Sequence, residues 1–184
     1  MAQTSTIPVV IVVNGDPVRA GLVSSLGRPG GNVTGMTTLS QEIAGKRLQL
    51  LTEAISGVRR VGVLWNPENP DVLAEWQETQ AVARILGVHV EPLEVRTPSD
   101  LEPAFQRGAR NRIGALVVLE DRLTTTYAAT LIALAARTKV PAIYPSRYFV
   151  QPPQDGLMSY GPSPVDIATG HQPHRSYPAG GQAE

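Results

Sequence analysis

The sequence IGALVVLED at residues 113–121 decides the fold class. Its first seven residues, 113–119, form one continuous apolar run, which is typical of a strand covered on both faces of a sheet. Two carboxylates follow at once, where such a strand would end. We therefore predict that 113–119 is the central strand of a buried parallel sheet.

Apolar runs of the same kind lie on both sides of this strand along the chain. Residues 61–65 form one upstream and residues 142–144 form one downstream, and segments with helical apolar spacing lie between them. Strands that alternate with helices indicate right-handed crossovers and a parallel sheet with helices on both faces. The fold class predicted for residues 61–144 is therefore α/β, as a three-layer αβα lobe.

Local signals place the ends of several elements. Asn69 and Pro70 predict the start of a long helix, because Asn caps and Pro is tolerated at the first helical position. Pro92 interrupts a predicted strand over 88–95 and suggests either an edge position or a bulge, because proline cannot donate to the ladder. Ser99 and Glu102 form a capping-box pattern before another helix.

The first part of the chain predicts an incomplete lobe. Residues 7–13 read as a strand, and Asp16 with Pro17 predicts a helix that stops at Gly27. A short strand and a second helix, over 40–57, complete the inventory. These elements are too few for a closed sheet with its own core.

The composition excludes several classes of function. Formal net charge is +0, and without a run of Lys or Arg no nucleic-acid partner is expected. The sequence has no cysteine, so disulfides and thiolate sites are excluded. Residues 1–6 lack a basic leader, and 7–13 is too short to cross a bilayer. As written, the chain is expected to have no membrane insertion and to stay in the cytoplasm.

Motifs for catalysis and cofactor binding are also missing. No glycine-rich phosphate loop follows a strand and no nucleophile elbow occurs. The three histidines are His89, His171 and His174, which are too scattered for a triad or a metal cluster. We therefore expect no catalytic residue, no metal and no cofactor.

Ligands bind outside the carboxyl ends of the strands in open α/β sheets. That rule selects polar or aromatic residues after four predicted strands: Asn14, Gly15 and Asp16; Asn66; Glu120 and Asp121; Tyr144 and Ser146. Each has a plainer explanation as well, since Asp16 can cap a helix, Asn66 can make a turn, and Tyr144 can be half core. Asp121 is favoured, because a carboxylate after an apolar strand needs a partner.

Short motifs follow one another in a fixed order along the chain. They are IPVV at 7–10, GDPV at 15–18, GLV at 21–23, RPGGNVTG at 28–35, GKRL at 45–48, VGVLWNP at 61–67, PAIY at 141–144 and GLMSYG at 156–161. This series resembles the ABC transporter substrate-binding protein family, in the bacterial group that includes tryptophan- and tyrosine-type binding proteins. The octapeptide at 28–35 is its most specific part.

The resemblance implies a periplasmic-binding-protein-like fold of two lobes that close on a small solute by a hinge. It implies that the native protein is a periplasmic or extracytoplasmic lipoprotein and that its partners are ABC permease subunits. It places Asp16, Asn66, Asp121 and Tyr144 on cleft-facing loops, as ligand-binding residues, and suggests an amino acid as the solute.

The same resemblance divides the chain into three parts. Residues 1–57 correspond to the C-terminal part of an incomplete first lobe, and 58–168 to the second lobe with a return segment. Residues 169–184 resemble nothing in the family and are predicted to be a disordered tail. We therefore expect a truncated copy, with weak or no solute affinity on its own.

Two other functions compete with solute binding. A transcription regulator's effector-sensing domain has the same bilobed fold, but would bring a helix-turn-helix segment, and none precedes residue 7. An enzyme on a doubly wound α/β fold would need a phosphate loop or a base in the cleft. The fold alone does not decide between binder and enzyme.

Overall fold

The structure is a computed structural model that describes residues 6–13, 16–18, 20–37, 40–162 and 176–177. The chain forms two compact units. The smaller comprises Met1–Ser40 with Ser163–Glu184, and the larger comprises Gln41–Pro162. Each unit is described by itself.

The larger unit is built on a sheet of five strands, all parallel. Their spatial order is β4-β3-β5-β6-β7, and their bounds are β3 Arg60–Trp65, β4 His89–Glu94, β5 Ala115–Val118, β6 Ala142–Tyr144 and β7 Met158–Ser159. The predicted parallel sheet is confirmed. Pro92 lies on β4, opposite Val63 of β3, so the predicted edge position is confirmed as well.

Helices cover both faces of this sheet. They are α1 Ser40–Ala54, α2 Pro70–Leu86, α3 Leu101–Arg110, α4 Arg122–Thr126 and α5 Ala128–Thr138. Apolar side chains of α1 and α2 pack on one face, against Val63, Val117 and Ile143. Those of α3 and α5 pack on the other, against Leu64, Leu116 and Val118. Alternate residues of each strand therefore face opposite layers, as in a three-layer αβα lobe.

The helix ends follow the predicted caps with one correction. Asn69 caps α2 by accepting a hydrogen bond from the backbone of Asp71 at 3.1 Å, and Gly87 ends the helix at φ 66°. The predicted capping box of Ser99 and Glu102 is wrong. The box is formed two residues earlier, by Thr97 with Asp100, because a single 3₁₀ turn at Pro98–Asp100 precedes α3.

The smaller unit contains three short strands in the order β1-β2-β8. They are β1 Val9–Val13, β2 Val33–Thr37 and β8 Ser176–Tyr177. β1 and β2 pair in parallel, while β8 pairs antiparallel with β2. Gly35 permits the first pairing, because a Cβ there would lie 1.8 Å from the carbonyl oxygen of Ile11.

Two predictions for this unit are wrong. No helix follows Asp16 in the described residues of 16–26. Val18 instead accepts a backbone hydrogen bond from Gly21, which has φ 69°, and Pro17 accepts backbone hydrogen bonds from Leu22 and Val23. The tail is not wholly disordered, since Ser176 and Tyr177 extend the edge of β2. The rest of the predicted tail lies outside the described residues.

The boundary between the compact units differs from the one predicted at residue 57. It falls at Ser40 and Gln41, which places nearly all of α1 in the larger unit. The reason is packing, because Ala44, Leu48 and Leu51 belong to the apolar cluster on that unit's sheet.

Candidate functional site

The strand order of the larger unit reverses between β3 and β5. The chain runs from β3 through α2 to β4 on one side, and then through α3 to β5 on the other side. Ligands of open parallel sheets bind outside the carboxyl ends of the strands at such a reversal. We call residues 65–69 and 119–121, which follow these two strands, the β3–β5 edge.

Asn66 and Asn69 organise the first half of this edge. The side-chain oxygen of Asn66 accepts a hydrogen bond from the backbone of Glu68 at 3.0 Å, which closes a turn. The side-chain nitrogen of Asn69 donates to Oδ2 of Asp121 at 2.8 Å. The two loops of the edge are therefore joined, and Asn66 and Asp121 lie at the same end of the sheet.

Asp121 begins α4. Its Oδ1 accepts a hydrogen bond from the backbone of Leu123 at 2.7 Å, and its Oδ2 accepts the one from Asn69. The residue is 7% exposed. The expectation that this carboxylate needs a partner is met within the protein, by the helix it caps and by the neighbouring loop.

Glu120, one residue earlier, is different. Its Oε2 is buried and has no hydrogen-bond partner in the described part of the chain. Burial raises the pKa of the Glu120 carboxyl, and the charge of Arg47 partly opposes this effect. Of the two adjacent carboxylates, Glu120 is therefore the one with unused hydrogen-bonding capacity.

Arg47 of α1 is wholly buried in the face that α1 and α2 cover. Its Nε donates to the carbonyl oxygen of Tyr160 at 3.0 Å and its Nη1 donates to Oε2 of Glu75 at 3.4 Å, while Nη2 has no partner. Burial lowers the pKa of the Arg47 guanidinium, and the charges of Glu75 and Glu120 oppose that shift. We call Arg47, Glu75 and Glu120 the Arg47 cluster.

Sequence reasoning missed Arg47 and Glu75 as site residues, although both carry a signal. Arg47 falls between Ala44 and Leu51 on the apolar stripe of α1, and Glu75 falls on the stripe of α2 beside Trp76. A charge at a core position of a helix needs a buried partner. Two residues of opposite charge at core positions of successive helices can therefore be recognised in the sequence as a possible buried pair.

Trp65 is the last residue of β3 and packs in the apolar cluster covered by α1 and α2. It is 6% exposed, and its ring stacks on that of Trp76 with centroids 5.2 Å apart. Its Nε1 is buried, and none of the described residues provides it with a hydrogen-bond partner. Buried indole nitrogens usually find a partner, so this donor is notable at a predicted ligand edge.

The family model described as ABC transporter substrate binding protein matches residues 1–168. The chain belongs to this family. The motif series in the sequence is thereby confirmed as a family resemblance, and the periplasmic-binding-protein-like fold is supported by solved relatives.

Three relatives of this chain are informative. A tyrosine-binding protein of Clostridioides difficile (strain R20291) is 28% identical over 140 residues, which are 76% of this chain and 40% of that protein. A conserved domain protein from Vibrio cholerae has a TM-score of 0.71 at 26% identity, covering 85% of this chain and 51% of that one. An ABC domain in complex with L-Trp from Streptococcus pneumonia has a TM-score of 0.64 at 25% identity, covering 85% and 52%.

The chain thus spans about half or less of the length of these relatives. The protein named as tyrosine-binding and the ABC domain in complex with L-Trp are both longer than this chain.

Tyr144 ends β6, the strand that pairs with β5, and its side chain belongs to the apolar cluster on the face covered by α3 and α5. It is 1% exposed and its ring stacks on Phe149 with centroids 5.1 Å apart, in the cluster covered by α3 and α5. Burial raises the pKa of Tyr144 to about 12. The predicted contact of Tyr144 with a solute stays a prediction, whereas its packing in the core is observed. Ser146, which follows the same strand, is 6% exposed.

Asp16 belongs to the smaller unit, where its Oδ1 accepts a hydrogen bond from the backbone of Val18 at 2.8 Å. Its predicted ligand role also stays a prediction. Asn14 and Gly15 lie outside the described residues.

In the described part of the chain, no three His, Cys, Asp or Glu side chains come together in a way that could hold a metal ion. None of its described helices combines the length and the apolar character that a membrane span requires.

Proposed function

We propose that this chain is the solute-binding component of an ABC-type importer and that its solute is an amino acid. The β3–β5 edge would form one wall of the binding site. The observation that carries the proposal is the meeting of polar side chains from two strand ends, where Asn69 donates to Asp121, in a chain that the family model matches over residues 1–168.

The choice of an amino acid rests on two relatives. One is named as a tyrosine-binding protein and one was solved with L-Trp. A zwitterion needs both hydrogen-bond donors and acceptors from its site. The β3–β5 edge contains a donor in Trp65 Nε1 and an acceptor in Glu120 Oε2, which are both buried and have no hydrogen-bond partner among the described residues.

The proposal includes no catalytic step. His89, the described member of the three histidines, lies on β4, the edge strand, and its side chain is 61% exposed. A binder needs only to hold the solute and release it. ABC permease subunits would receive the solute, which places the working protein outside the cytoplasm, and incubation with the solute should leave it chemically unchanged.

Chemical-shift perturbation in solution NMR tests the proposal, because it detects weak binding. The full chain is titrated with a panel of L-amino acids and, as a control, with sugars of similar size. We expect amino acids to move the backbone resonances of Asn66, Glu120 and Asp121, and sugars to leave them unchanged. Perturbation confined to other surfaces, or none with any amino acid, would contradict the proposal.

A further inference from the structure

A cavity of about 360 Å³ lies between α5 and the segment that leads into β7. We call it the α5 cavity; its volume is within the range of small-molecule sites. Its wall combines apolar, aromatic and charged side chains, which include those of Ile132, Val140, Leu157, Tyr144, Lys139 and Asp155. Lys139 and Asp155 lie three residues before β6 and β7, at the amino ends of these parallel strands. The α5 cavity is therefore distinct from the β3–β5 edge, which lies at the carboxyl ends.

Tyr144 brings an unused polar group to this wall. The residue is 1% exposed, and its hydroxyl makes no hydrogen bond within the described part of the chain. In contrast to Oε2 of Glu120, the hydroxyl oxygen is not among the completely covered atoms there that lack a partner. A buried tyrosine hydroxyl usually has a partner. Tyr144 can therefore donate a hydrogen bond to a ligand in the α5 cavity, or accept one from it.

Lys139 and Asp155 bring one charge of each sign. Both are exposed, and neither side chain forms an ion pair or a hydrogen bond with another described residue. Both also lie at positive φ, 55° for Lys139 and 52° for Asp155, and they are two of the three described non-glycine residues that do so. Glycine is the residue that this backbone conformation favours, and other residues held in it are concentrated at functional sites. The cavity thus keeps two charged side chains where glycine would be less strained.

We infer that the α5 cavity is a second binding site, and that its ligand is a zwitterion with an apolar body, which is the chemistry of an amino acid. Lys139 supplies the cation for the carboxylate, Asp155 supplies the anion for the ammonium group, and the Tyr144 hydroxyl adds a hydrogen bond. Ile132, Val140 and Leu157 provide the apolar surface. The inference does not depend on the proposed function, because none of these residues belongs to the β3–β5 edge.

Chemical-shift perturbation in the full chain tests the ligand class with three probes. They are L-phenylalanine, phenethylamine, which lacks the carboxylate, and 3-phenylpropionate, which lacks the amino group. We expect L-phenylalanine to move the backbone resonances of Lys139, Val140 and Leu157. Each of the other two probes should bind the cavity about fivefold more weakly, because it loses one exposed charge pair.

Tyr144→Phe separates binding from structure. The variant removes only the hydroxyl and keeps the ring that stacks on Phe149, so we expect an unchanged denaturation midpoint together with about fivefold weaker binding of L-phenylalanine. Tyr148→Phe is the matched control, because Tyr148 is exposed and its hydroxyl accepts a hydrogen bond from Gln154. It should bind L-phenylalanine as the wild-type chain does. Equal affinities of the two variants would contradict the role of the Tyr144 hydroxyl.

Asp155→Asn tests the recognition of the ammonium group, since asparagine also tolerates positive φ. We expect this variant to bind L-phenylalanine and 3-phenylpropionate with similar affinity, whereas the wild-type chain prefers L-phenylalanine. An unchanged preference in Asp155→Asn would show that Asp155 does not hold the ammonium group.

The places of the perturbed resonances distinguish this inference from the proposed function. Perturbation by L-phenylalanine at Asn66 and Asp121 without any at Lys139 and Leu157 would overturn the inference and support the proposed function. Perturbation confined to the α5 cavity would have the reverse meaning. Equal responses of the cavity to all three probes would also overturn the inference, because the site would then not recognise charge.

Discussion

The two faces of the larger unit's sheet are built differently. The face covered by α3 and α5 is packed with apolar side chains and includes the Tyr144–Phe149 stack. The face covered by α1 and α2 has a similar apolar cluster, but Arg47 and Glu75 are buried beside it. Apolar packing alone is therefore enough to hold a layer of helices on this sheet. The burial of Arg47 and Glu75 on the other face needs a reason other than helix packing.

The difference lies at the carboxyl end of the strands. Arg47 hydrogen-bonds to the segment after β7, through the Tyr160 carbonyl, and interacts with Glu120 after β5. Buried ion pairs are often no more stabilising than apolar residues of similar size. Their retention on one face fits a role at the site better than a role in the core.

The variant with the largest expected effect removes the positive charge of Arg47 from the face covered by α1 and α2. Arg47→Met leaves Glu75 and Glu120 without their buried guanidinium, so we expect a loss of about 3–5 kcal/mol in the free energy of unfolding. Denaturant titration measures it. Lys46→Met is the control, because Lys46 is exposed on the same helix, and should change stability by less than about 0.5 kcal/mol. Equal effects of the two variants would remove the distinction between the faces.

The second test overpacks the apolar face. A Cβ on Gly62 would lie 2.7 Å from Cδ1 of Ile113 and 2.8 Å from Cδ1 of Leu93. We expect Gly62→Ala to lower the free energy of unfolding by about 1–3 kcal/mol, as overpacking of tight cores does. Gly31→Ala is the control, because a Cβ there meets nothing within 4 Å. A neutral Gly62→Ala would mean that this face is loosely packed.

The sequence predicts the apolar face well, because buried positions of strands and helices are occupied by apolar residues at regular spacing. Runs such as 61–65 and 113–119 are continuous because both sides of each strand are covered, and Asn69 and Gly87 mark the ends of α2 by local geometry. The smaller unit was predicted less well. The helix predicted from Asp16 and Pro17 is absent from the described residues of 16–26, where Gly21 at positive φ belongs to a series of turns.

The site is only partly predictable, because neighbouring residues compete for the same role. Glu120 and Asp121 both follow β5, and the sequence favoured Asp121. Which one stays unpartnered depends on Asn69, a residue far along the chain that donates to Asp121. The place of the β3–β5 edge follows from strand order, whereas the assignment of a carboxylate within it requires the three-dimensional contacts.

A third, smaller test measures what Asp121 does for the edge. Asp121→Ala removes the cap of α4 and the acceptor of Asn69, so we expect a loss of about 0.5–2 kcal/mol in the free energy of unfolding. Asp121→Asn keeps a side-chain oxygen for the Leu123 backbone but no carboxylate for Asn69. Denaturant titration of both variants separates the two contributions. A stability equal to wild type in Asp121→Ala would show that the contacts of Asp121 contribute little.

The smallest expected effect is that of Glu120→Gln, which should raise the free energy of unfolding, whereas the other variants lower it. Burial raises the pKa of the Glu120 carboxyl in the folded chain, so the unfolded chain gives up this proton at lower pH than the folded chain does. Ionisation of Glu120 therefore lowers stability at neutral pH, and the penalty disappears as pH falls below about 4.3, the ordinary pKa of glutamic acid.

We accordingly expect Glu120→Gln to be slightly more stable than the wild-type chain near neutral pH, with the difference shrinking as the solution is acidified. Denaturant titrations of both chains over a pH series measure that difference, and Glu53→Gln provides the exposed reference. A wild-type chain more stable at neutral pH would mean that Arg47 stabilises the Glu120 carboxylate more than burial penalises it. If the expected sign is found, burial penalises the Glu120 carboxylate more than the charge of Arg47 stabilises it.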